Sequence, residues 1–323
     1  MKQSGIWLAM MLAVSASPHP ASAVEAPNCT IKVVVTGPAG GTPDLIARIG
    51  AEKLRVGIDR NVVVENKVGG LGAAPSIVEV RNAAADGCTL LAANASIFSI
   101  APSLYKTPPY DPKDFAPVSL LAISPNVLVI NASVPAKTLD EFVTLLRKDS
   151  GKLNFGSGGV GTPMHLYGAL LQTKFGLVFP HVPYRGSAPV MTDLISNQVQ
   201  FVFEQIPSFI AHQKSGAVRA LAVANATRSP LLPDVPTFAE LGVSGADAVS
   251  WFGLVAPSRT PPEIIELYSK ALRDGMKDPQ VRDRLAQVGA EAAGTTPAET
   301  AAYLEGQRQK WVPLVAASGV KVD

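Results

Sequence analysis

A strand that ends in a glycine-rich loop and continues into a helix constrains this chain more than any other feature. Residues 31–35 are dominated by β-branched side chains, which predicts a buried strand. Three glycines occupy the loop 37–41, after which Thr42 predicts an N-cap and Pro43 a first helical position. A helix that begins in this way leaves backbone N–H groups unpaired and carries partial positive charge at its start. The loop is therefore a candidate site for an anion.

A second loop of the same kind spans residues 154–162 and also precedes a predicted helix. From residue 156 it has the G-x-G-x-x-G spacing of dinucleotide-binding proteins, but no acidic residue ends the next predicted strand, 178–182. The sequence therefore does not favour a nicotinamide cofactor. The Ser157 hydroxyl, the Thr162 cap and free N–H groups predict a carboxylate site instead. We expect the two loops to face each other across a cleft and to hold one small carboxylate.

The N-terminal residues predict an exported protein. Lys2 precedes an apolar run of ten, residues 5–14, and the sequence Ala-Ser-Ala at 21–23 is typical of a cleavage site. The apolar run is about half of the roughly 20 residues that a membrane anchor needs. We predict a signal peptide over residues 1–23, cleaved near Ala23, and a soluble periplasmic protein of two lobes. The net charge of +2 and the aromatic content of 6% argue against nucleic-acid binding.

Export makes the two cysteines a candidate disulfide. Cys29 lies just before the strand at 31–35, and Cys88 lies just before a predicted strand at 89–92. In a doubly wound lobe of strand order 2-1-3 these strands are neighbours that are entered from the same edge, which brings the two cysteines to bridging distance. Two free thiols are the alternative.

Strands and amphipathic helices alternate along the chain, which predicts parallel sheets. The proline-rich residues 101–117 predict an irregular surface excursion, and the apolar run 118–130 is broken by Ser124 and Pro125. We interpret that run as one crossing between lobes and the strand 251–257 as the return crossing. The predicted domains are therefore lobe 1, residues 24–123 plus 248–323, and lobe 2, residues 124–247. The C-terminal helices at 262–277 and 297–318 are expected to pack on lobe 1.

An ordered set of short segments resembles the substrate-binding receptors of tripartite tricarboxylate transporters, the Bordetella-type Bug receptors. The segments are GG-x-x-D at 40–44, VVVENK at 62–67 with glycines at 69, 70 and 72, DG-x-TLL at 86–91, LY at 104–105, PYDP at 109–112, F-x-PV at 115–118, GKLN at 151–154, HVPYRG at 181–186, ALAV at 220–223, LPDVPT at 232–237, W-x-G at 251–253 and VR-x-RL at 281–285. They run through nearly the whole chain. The chain departs from the family pattern in the first loop and at three single residues, Cys88, Glu204 and Gln205.

The resemblance implies an α/β chain with the type II periplasmic-binding-protein fold, in which two doubly wound lobes surround a cleft and are joined by two hinge crossings. It implies a receptor that performs no chemistry, binds a small mono- or dicarboxylate through both glycine-rich loops, and delivers it to membrane permease subunits. We also predict a monomer that needs no cofactor and does not insert into the membrane.

We predict a ligand site formed mainly by the two loops and by the start of a third helix. Its residues are Ala39, Gly40, Gly41, Thr42, Ser96, Ser157, Gly158, Gly161, Thr162, His165, Gly186, Ser187 and Glu204. Arg185 is either a fork for a carboxylate or a surface residue. Glu204 either accepts a hydrogen bond from the ligand or pairs with Arg185.

Two other functions are left open by the sequence. The first is an exported hydrolase or esterase that uses Ser157 and His165, although Phe155 stands where a nucleophile elbow has glycine. The second is a periplasmic sensor that signals through a membrane kinase. No catalytic residue and no metal site is predicted, because the histidines lack neighbouring ligands at suitable spacing.

Overall fold

The computed structural model describes residues 25–67, 74–287 and 289–320. The predicted signal peptide, residues 1–23, lies outside the described residues.

The described residues form two β-sheets with helices on their faces. The strands are β1 (Ile31–Val35), β2 (Val62–Asn66), β3 (Thr89–Asn94), β4 (Phe115–Ser124), β5 (Asn126–Asn131), β6 (Phe155–Ser157), β7 (His181–Pro183), β8 (Phe201–Gln205), β9 (Val218–Ala224), β10 (Ser250–Pro257) and β11 (Glu291–Ala292). The helices are α1 (Thr42–Ile58), α2 (Ala74–Arg81), α3 (Ala101–Leu104), α4 (Leu139–Lys148), α5 (Pro163–Phe175), α6 (Ser187–Ile195), α7 (Ile206–Lys214), α8 (Pro262–Met276), α9 (Pro279–Gln287) and α10 (Pro297–Ser318).

The two sheets are joined where β4 passes into β5 through Pro125. One sheet has the order β11-β4-β10-β3-β1-β2, and the other has the order β7-β6-β8-β5-β9. The α/β, two-sheet fold predicted from the sequence is therefore confirmed. The exact lobe boundaries, 24–123 with 248–323 and 124–247, stay a prediction.

The prediction of wholly parallel sheets is wrong. β1 pairs in parallel with β2 and β3, and β6 with β7 and β8, but β10 is antiparallel to β3 and β4, and β5 is antiparallel to β8 and β9. The reason is the hinge. β10 enters its sheet from the edge that faces the other sheet, whereas β1, β3 and β4 run toward that edge.

The proline-rich stretch is also more regular than predicted. It contains the short helix α3, a single helical turn at Pro112–Asp114 capped by Asp111, and the start of β4 at Phe115. Pro117 is accommodated inside β4, opposite Val255 of β10.

The sheet order β2-β1-β3 is as predicted, and it brings the two cysteines together. Lys32 of β1 is in register with Thr89 of β3. Cys29 lies two residues before β1 and Cys88 one residue before β3, and they form a disulfide with their Cα atoms 6.1 Å apart. The bridge closes the edge of the sheet that is opposite the loop at residues 37–41.

Helix α10 differs from expectation because it packs on α5, beside the second sheet, as well as on β4 of the first sheet. Its Trp311 is fully buried and makes an edge contact with Tyr167 of α5, with ring centroids 5.5 Å apart. The same core cluster includes Leu91 of β3 and Phe203 of β8. One continuous hydrophobic core therefore spans the two sheets beneath the hinge.

Candidate functional site

A cavity of about 940 Å³ lies between the two sheets, at the ends of the strands that run toward the hinge. The loop before α1, which we call loop 1 (residues 36–43), forms one wall. The opposite wall comes from loop 2 (residues 158–164) and from the start of α6 (residues 185–192). Ligands of open α/β sheets usually bind at the strand ends. Here the strand ends of both sheets border the cavity, one sheet on each side.

Loop 1 is held in place by a buried carboxylate. Asp44 is 2% exposed, and its Oδ2 accepts hydrogen bonds from the Gly40 amide at 2.8 Å and from Arg48 Nε at 3.0 Å, while Oδ1 accepts from Asn66 at 3.0 Å. Burial alone would raise the pKa of Asp44, but these hydrogen bonds outweigh it and hold the pKa below its ordinary value. Asp44 therefore supports the loop from behind as a carboxylate.

The start of α1 differs by one residue from the prediction. Gly41, not Thr42, is the N-cap, with φ −74° and ψ 163°, and no side chain caps the helix. The amides of Ala39 and Thr42 make no hydrogen bond within the described residues, whereas the Gly41 amide closes a turn to Pro38 O at 3.3 Å. Loop 1 thus offers unpaired N–H groups at a helix N-terminus, where an anion is stabilised.

Loop 2 begins α5 with the predicted Thr162 cap. Thr162 Oγ1 accepts from the His165 amide at 3.4 Å and donates to Gly159 O at 2.7 Å. Gly159 and Gly161 have φ of 136° and 77°, which explains why glycine stands at both positions. Gly158 and Thr162 line the cavity.

Two stacked histidines support loop 2 from behind. The rings of His165 and His181 lie 4.2 Å apart; His165 Nδ1 accepts from the Gly161 amide at 3.2 Å, and His181 Nε2 lies 2.6 Å from Ser157 Oγ. Burial lowers the pKa of His165. Burial and the neighbouring His165 lower the pKa of His181 to about 4. Both rings are therefore neutral at neutral pH, as His165 must be for its Nδ1 to accept a hydrogen bond.

The third helix on the cavity wall is α6. Its N-cap Gly186 has φ 106°, and the Gly186 amide donates to Gly158 O at 3.1 Å, which ties α6 to loop 2. The amides of Ser187 and Ala188 are unpaired within the described residues. Arg185 also lines the cavity and forms no ion pair in the described part of the chain, so the predicted alternative of pairing with Glu204 is not what the structure shows.

Glu204 lies beneath this wall and is fully buried at the end of β8. Its Oε2 accepts from the Gln205 amide at 3.1 Å, while Oε1 has no hydrogen-bond partner. Burial raises the pKa of Glu204 to about 7, against the opposing influence of the Ser187 hydroxyl, the Gln205 amide and the Ser208 hydroxyl. Ser187, Gln205 and Ser208 line the cavity, whereas Glu204 does not.

The structure brings nine of the thirteen predicted ligand residues to the cavity surface. They are Ala39, Gly40, Gly41, Thr42, Ser96, Gly158, Thr162, Gly186 and Ser187. The other four lie behind the wall and do not line it. They are Ser157, Gly161, His165 and Glu204.

The floor of the cavity is the hinge itself, and its residues were not predicted from the sequence. Asn126 Nδ2 donates to Ser250 Oγ at 3.1 Å and so joins the two crossings, and Asn126 Oδ1 has no partner. Trp251 is fully buried, lines the floor, and donates from Nε1 to Ser99 Oγ at 3.3 Å. The signal in the sequence that could have indicated this floor is a polar residue, Asn126, directly after Pro125 in an otherwise apolar run.

The charge of the cavity wall selects for anions. Among the lining residues, Arg185 and His212 are the titratable ones, and no Asp or Glu is present. No group of three or more His, Cys, Asp or Glu side chains in the described ranges could hold a metal ion. None of the helices described is both long enough and apolar enough to cross a bilayer.

Comparison with known proteins agrees with this geometry. The sequence model of one protein family, the tripartite tricarboxylate transporter family receptor, matches residues 46–320 of this chain. Protein BugT of Bordetella pertussis is 32% identical over 317 residues, which cover 98% of this chain and 97% of BugT.

Two similar solved structures carry a ligand. Rhodopseudomonas palustris Rpa4515 with adipate is 30% identical, with a TM-score of 0.83 over 91% of this chain and 99% of the other. MatC (Rpa3494) of the same species with bound malate is 29% identical, with a TM-score of 0.79 over 90% of this chain and 99% of the other.

The family whose model matches is a family of receptors, which removes the hydrolase alternative. The geometry agrees, because the partner of Ser157 is His181 rather than His165, and the pair lies behind the cavity wall. The two-sheet architecture is similar to the structure of periplasmic binding protein BugD, which is 34% identical with a TM-score of 0.80 over 91% of this chain and 99% of the other, so the predicted periplasmic-binding-protein fold is confirmed. This chain belongs to the tripartite tricarboxylate transporter receptor family.

Proposed function

We propose that this protein is a periplasmic receptor that captures a small mono- or dicarboxylate between its two lobes for a tripartite tricarboxylate transporter. The observation that carries the proposal is one cavity that both glycine-rich loops line and whose wall contains a cation but no acid. Adipate in Rpa4515 and malate in MatC support the same class of ligand.

Most of the neutralising charge comes from the backbone. Unpaired amides at Ala39, Thr42, Ser187 and Ala188 face the cavity from the starts of α1 and α6, where the helix dipoles favour an anion. Arg185 adds a cation at the wall. Closing the lobes removes water from these groups and strengthens the hydrogen bonds to the ligand.

The body of the ligand packs against apolar side chains. Ile97, Met164, Met191, Trp251 and Phe252 line the cavity between the two loops. A short aliphatic or aromatic chain between carboxyl groups fits this surface, because burying it is favourable and its charged ends reach the loops.

The remaining parts of the proposal concern the cellular context. Residues 1–23 direct export and are removed near Ala23. The mature protein is a monomer that passes its ligand to membrane permease subunits, with no cofactor and no nucleic acid involved.

Calorimetric titration of the chain 24–323 with adipate and malate tests the proposal. The matched neutral diamides, adipamide and malamide, serve as controls. We expect one site per chain for at least one dicarboxylate and no binding of the diamides. Equal binding of acid and diamide, or no binding of either acid, would contradict a carboxylate receptor.

A further inference from the structure

The side chain of Glu204 is a fully buried acid that lies behind the cavity wall. Val202, two positions earlier on the same face of β8, belongs to one core cluster with Val190 of α6 and Phe209 of α7. Glu204 therefore projects toward the side on which these helices begin, at Ser187 on α6 and Ser208 on α7. Both of these serines line the cavity. One layer of protein thus separates a buried carboxyl from the proposed ligand carboxylate.

No opposite charge compensates Glu204 in the described residues. The elements packed against β8 are β5 and β6, which carry no titratable residue, and α5, α6 and α7. The titratable groups on those helices and at the adjoining wall are His165, Tyr167, Lys174, Asp193, His212, Lys214 and Arg185. None of them forms an ion pair with Glu204, and Asp193 accepts instead from the Tyr184 hydroxyl at 2.6 Å.

We propose that Glu204 is a positioning residue that couples anion capture to proton uptake, so that the receptor binds a carboxylate together with one proton from solvent. This inference rests on the proposed function. The proton binds to the Glu204 carboxyl, and no covalent bond is made or broken.

The coupling follows from competition for the same donors. The Ser187 hydroxyl and the starts of α6 and α7 are the groups that stabilise an ionised Glu204, and they are also the groups that face the ligand. Two carboxylates that share one set of donors in a buried site do not both ionise. The oxygen Oε1 has no partner, which leaves it able to hold the proton without breaking an existing hydrogen bond.

Burial raises the pKa of Glu204 to about 7 in the ligand-free protein, so the carboxyl is close to binding a proton at neutral pH. A bound ligand carboxylate then raises the pKa of Glu204 further. Above neutral pH the affinity for a dicarboxylate should fall by up to about tenfold per pH unit, as expected when one proton is bound with the ligand.

Calorimetry with adipate and malate between pH 6 and 9 tests this, with phosphate and Tris buffers compared at pH 8 to count protons. We expect the wild-type protein to take up close to one proton, and Glu204→Gln to bind with little pH dependence and no uptake. Glu263→Gln on the exposed start of α8 is the matched control and should behave as the wild type.

A second measurement does not require a variant. Infrared difference spectra of the wild-type protein at pH 8, with and without ligand, should show a new protonated-carboxyl band. Binding without that band and without pH dependence would overturn the coupling and leave the receptor function standing. If neither acid binds at any pH, both the proposed function and the coupling are overturned.

Discussion

Placing a fixed negative charge in loop 1 should abolish ligand binding while leaving the fold intact. Gly41 is the N-cap of α1 and has an extended backbone, φ −74° and ψ 163°, that any residue can adopt. Asp is among the preferred N-cap residues, so Gly41→Asp should cost the helix little. A Cβ at this position would lie 3.3 Å from Pro38 O, which requires a shift of a few tenths of an ångström at most.

The loss of affinity can be estimated from Coulomb's law. A carboxylate at residue 41 would lie about 5 Å from a ligand carboxylate on loop 1, which costs about 3 kcal/mol at an effective dielectric constant of about 20. That energy corresponds to a roughly 200-fold increase in Kd. Gly41→Asn has the same shape and the same contact with Pro38 but no charge, so it isolates the electrostatic part.

Calorimetry with adipate or malate, together with thermal unfolding, provides the assay. We expect Gly41→Asn to retain most of the affinity, Gly41→Asp to lose it, and the two variants to unfold within a few degrees of each other. Equal affinities for the two variants would refute the assignment of loop 1 as a carboxylate site.

Three further outcomes are expected. Replacing Cys29 and Cys88 together by Ser should lower the free energy of unfolding by about 4 kcal/mol on the chain-entropy model, because the bridge links residues that are 59 apart; an unchanged urea midpoint would contradict this. His181 has a folded pKa of about 4, below its ordinary 6.5, so the unfolded chain binds the proton more readily and stability should fall as pH drops through that window. As pH falls from 6.5 to 4, thermal unfolding of His181→Asn should show a smaller loss of stability than that of the wild-type protein. An equal loss in both proteins would argue against a neutral buried ring. Ligand binding should change the fluorescence of Trp251 at the cavity floor, and this change should vanish in Trp251→Phe but persist in Trp311→Phe.

Local signals in the sequence predicted the elements that carry the loops. β1 has the predicted bounds, Ile31–Val35, and α5 begins directly after the predicted Thr162 cap, because β-branched runs and Thr-Pro helix starts act over a few residues. At α1 the same kind of signal was one residue off, since Gly41 caps the helix through its backbone and leaves Thr42 in the first turn. Sequence patterns do not distinguish these two arrangements.

The orientation of side chains at the site depends on contacts that are distant in sequence. Ser157 directly precedes loop 2 and His165 directly follows it, but both contact the distant His181 behind the cavity wall, Ser157 by a hydrogen bond and His165 by ring stacking. Glu204 lies near the end of β8, as predicted, but its side chain is behind the cavity wall. Asn126 reaches the cavity only because the hinge brings it against Ser250, 124 residues away.

Backbone amide NMR during a dicarboxylate titration is the most direct test of a shared carboxylate site. With a nitrogen-labelled chain 24–323 and adipate or malate, we predict that the amides of Thr42 in loop 1, Gly158 in loop 2 and Ser187 in α6 shift together. The three titration curves should give one Kd. Shifts confined to one loop, or separate affinities for the two loops, would contradict the claim that both bind the same anion.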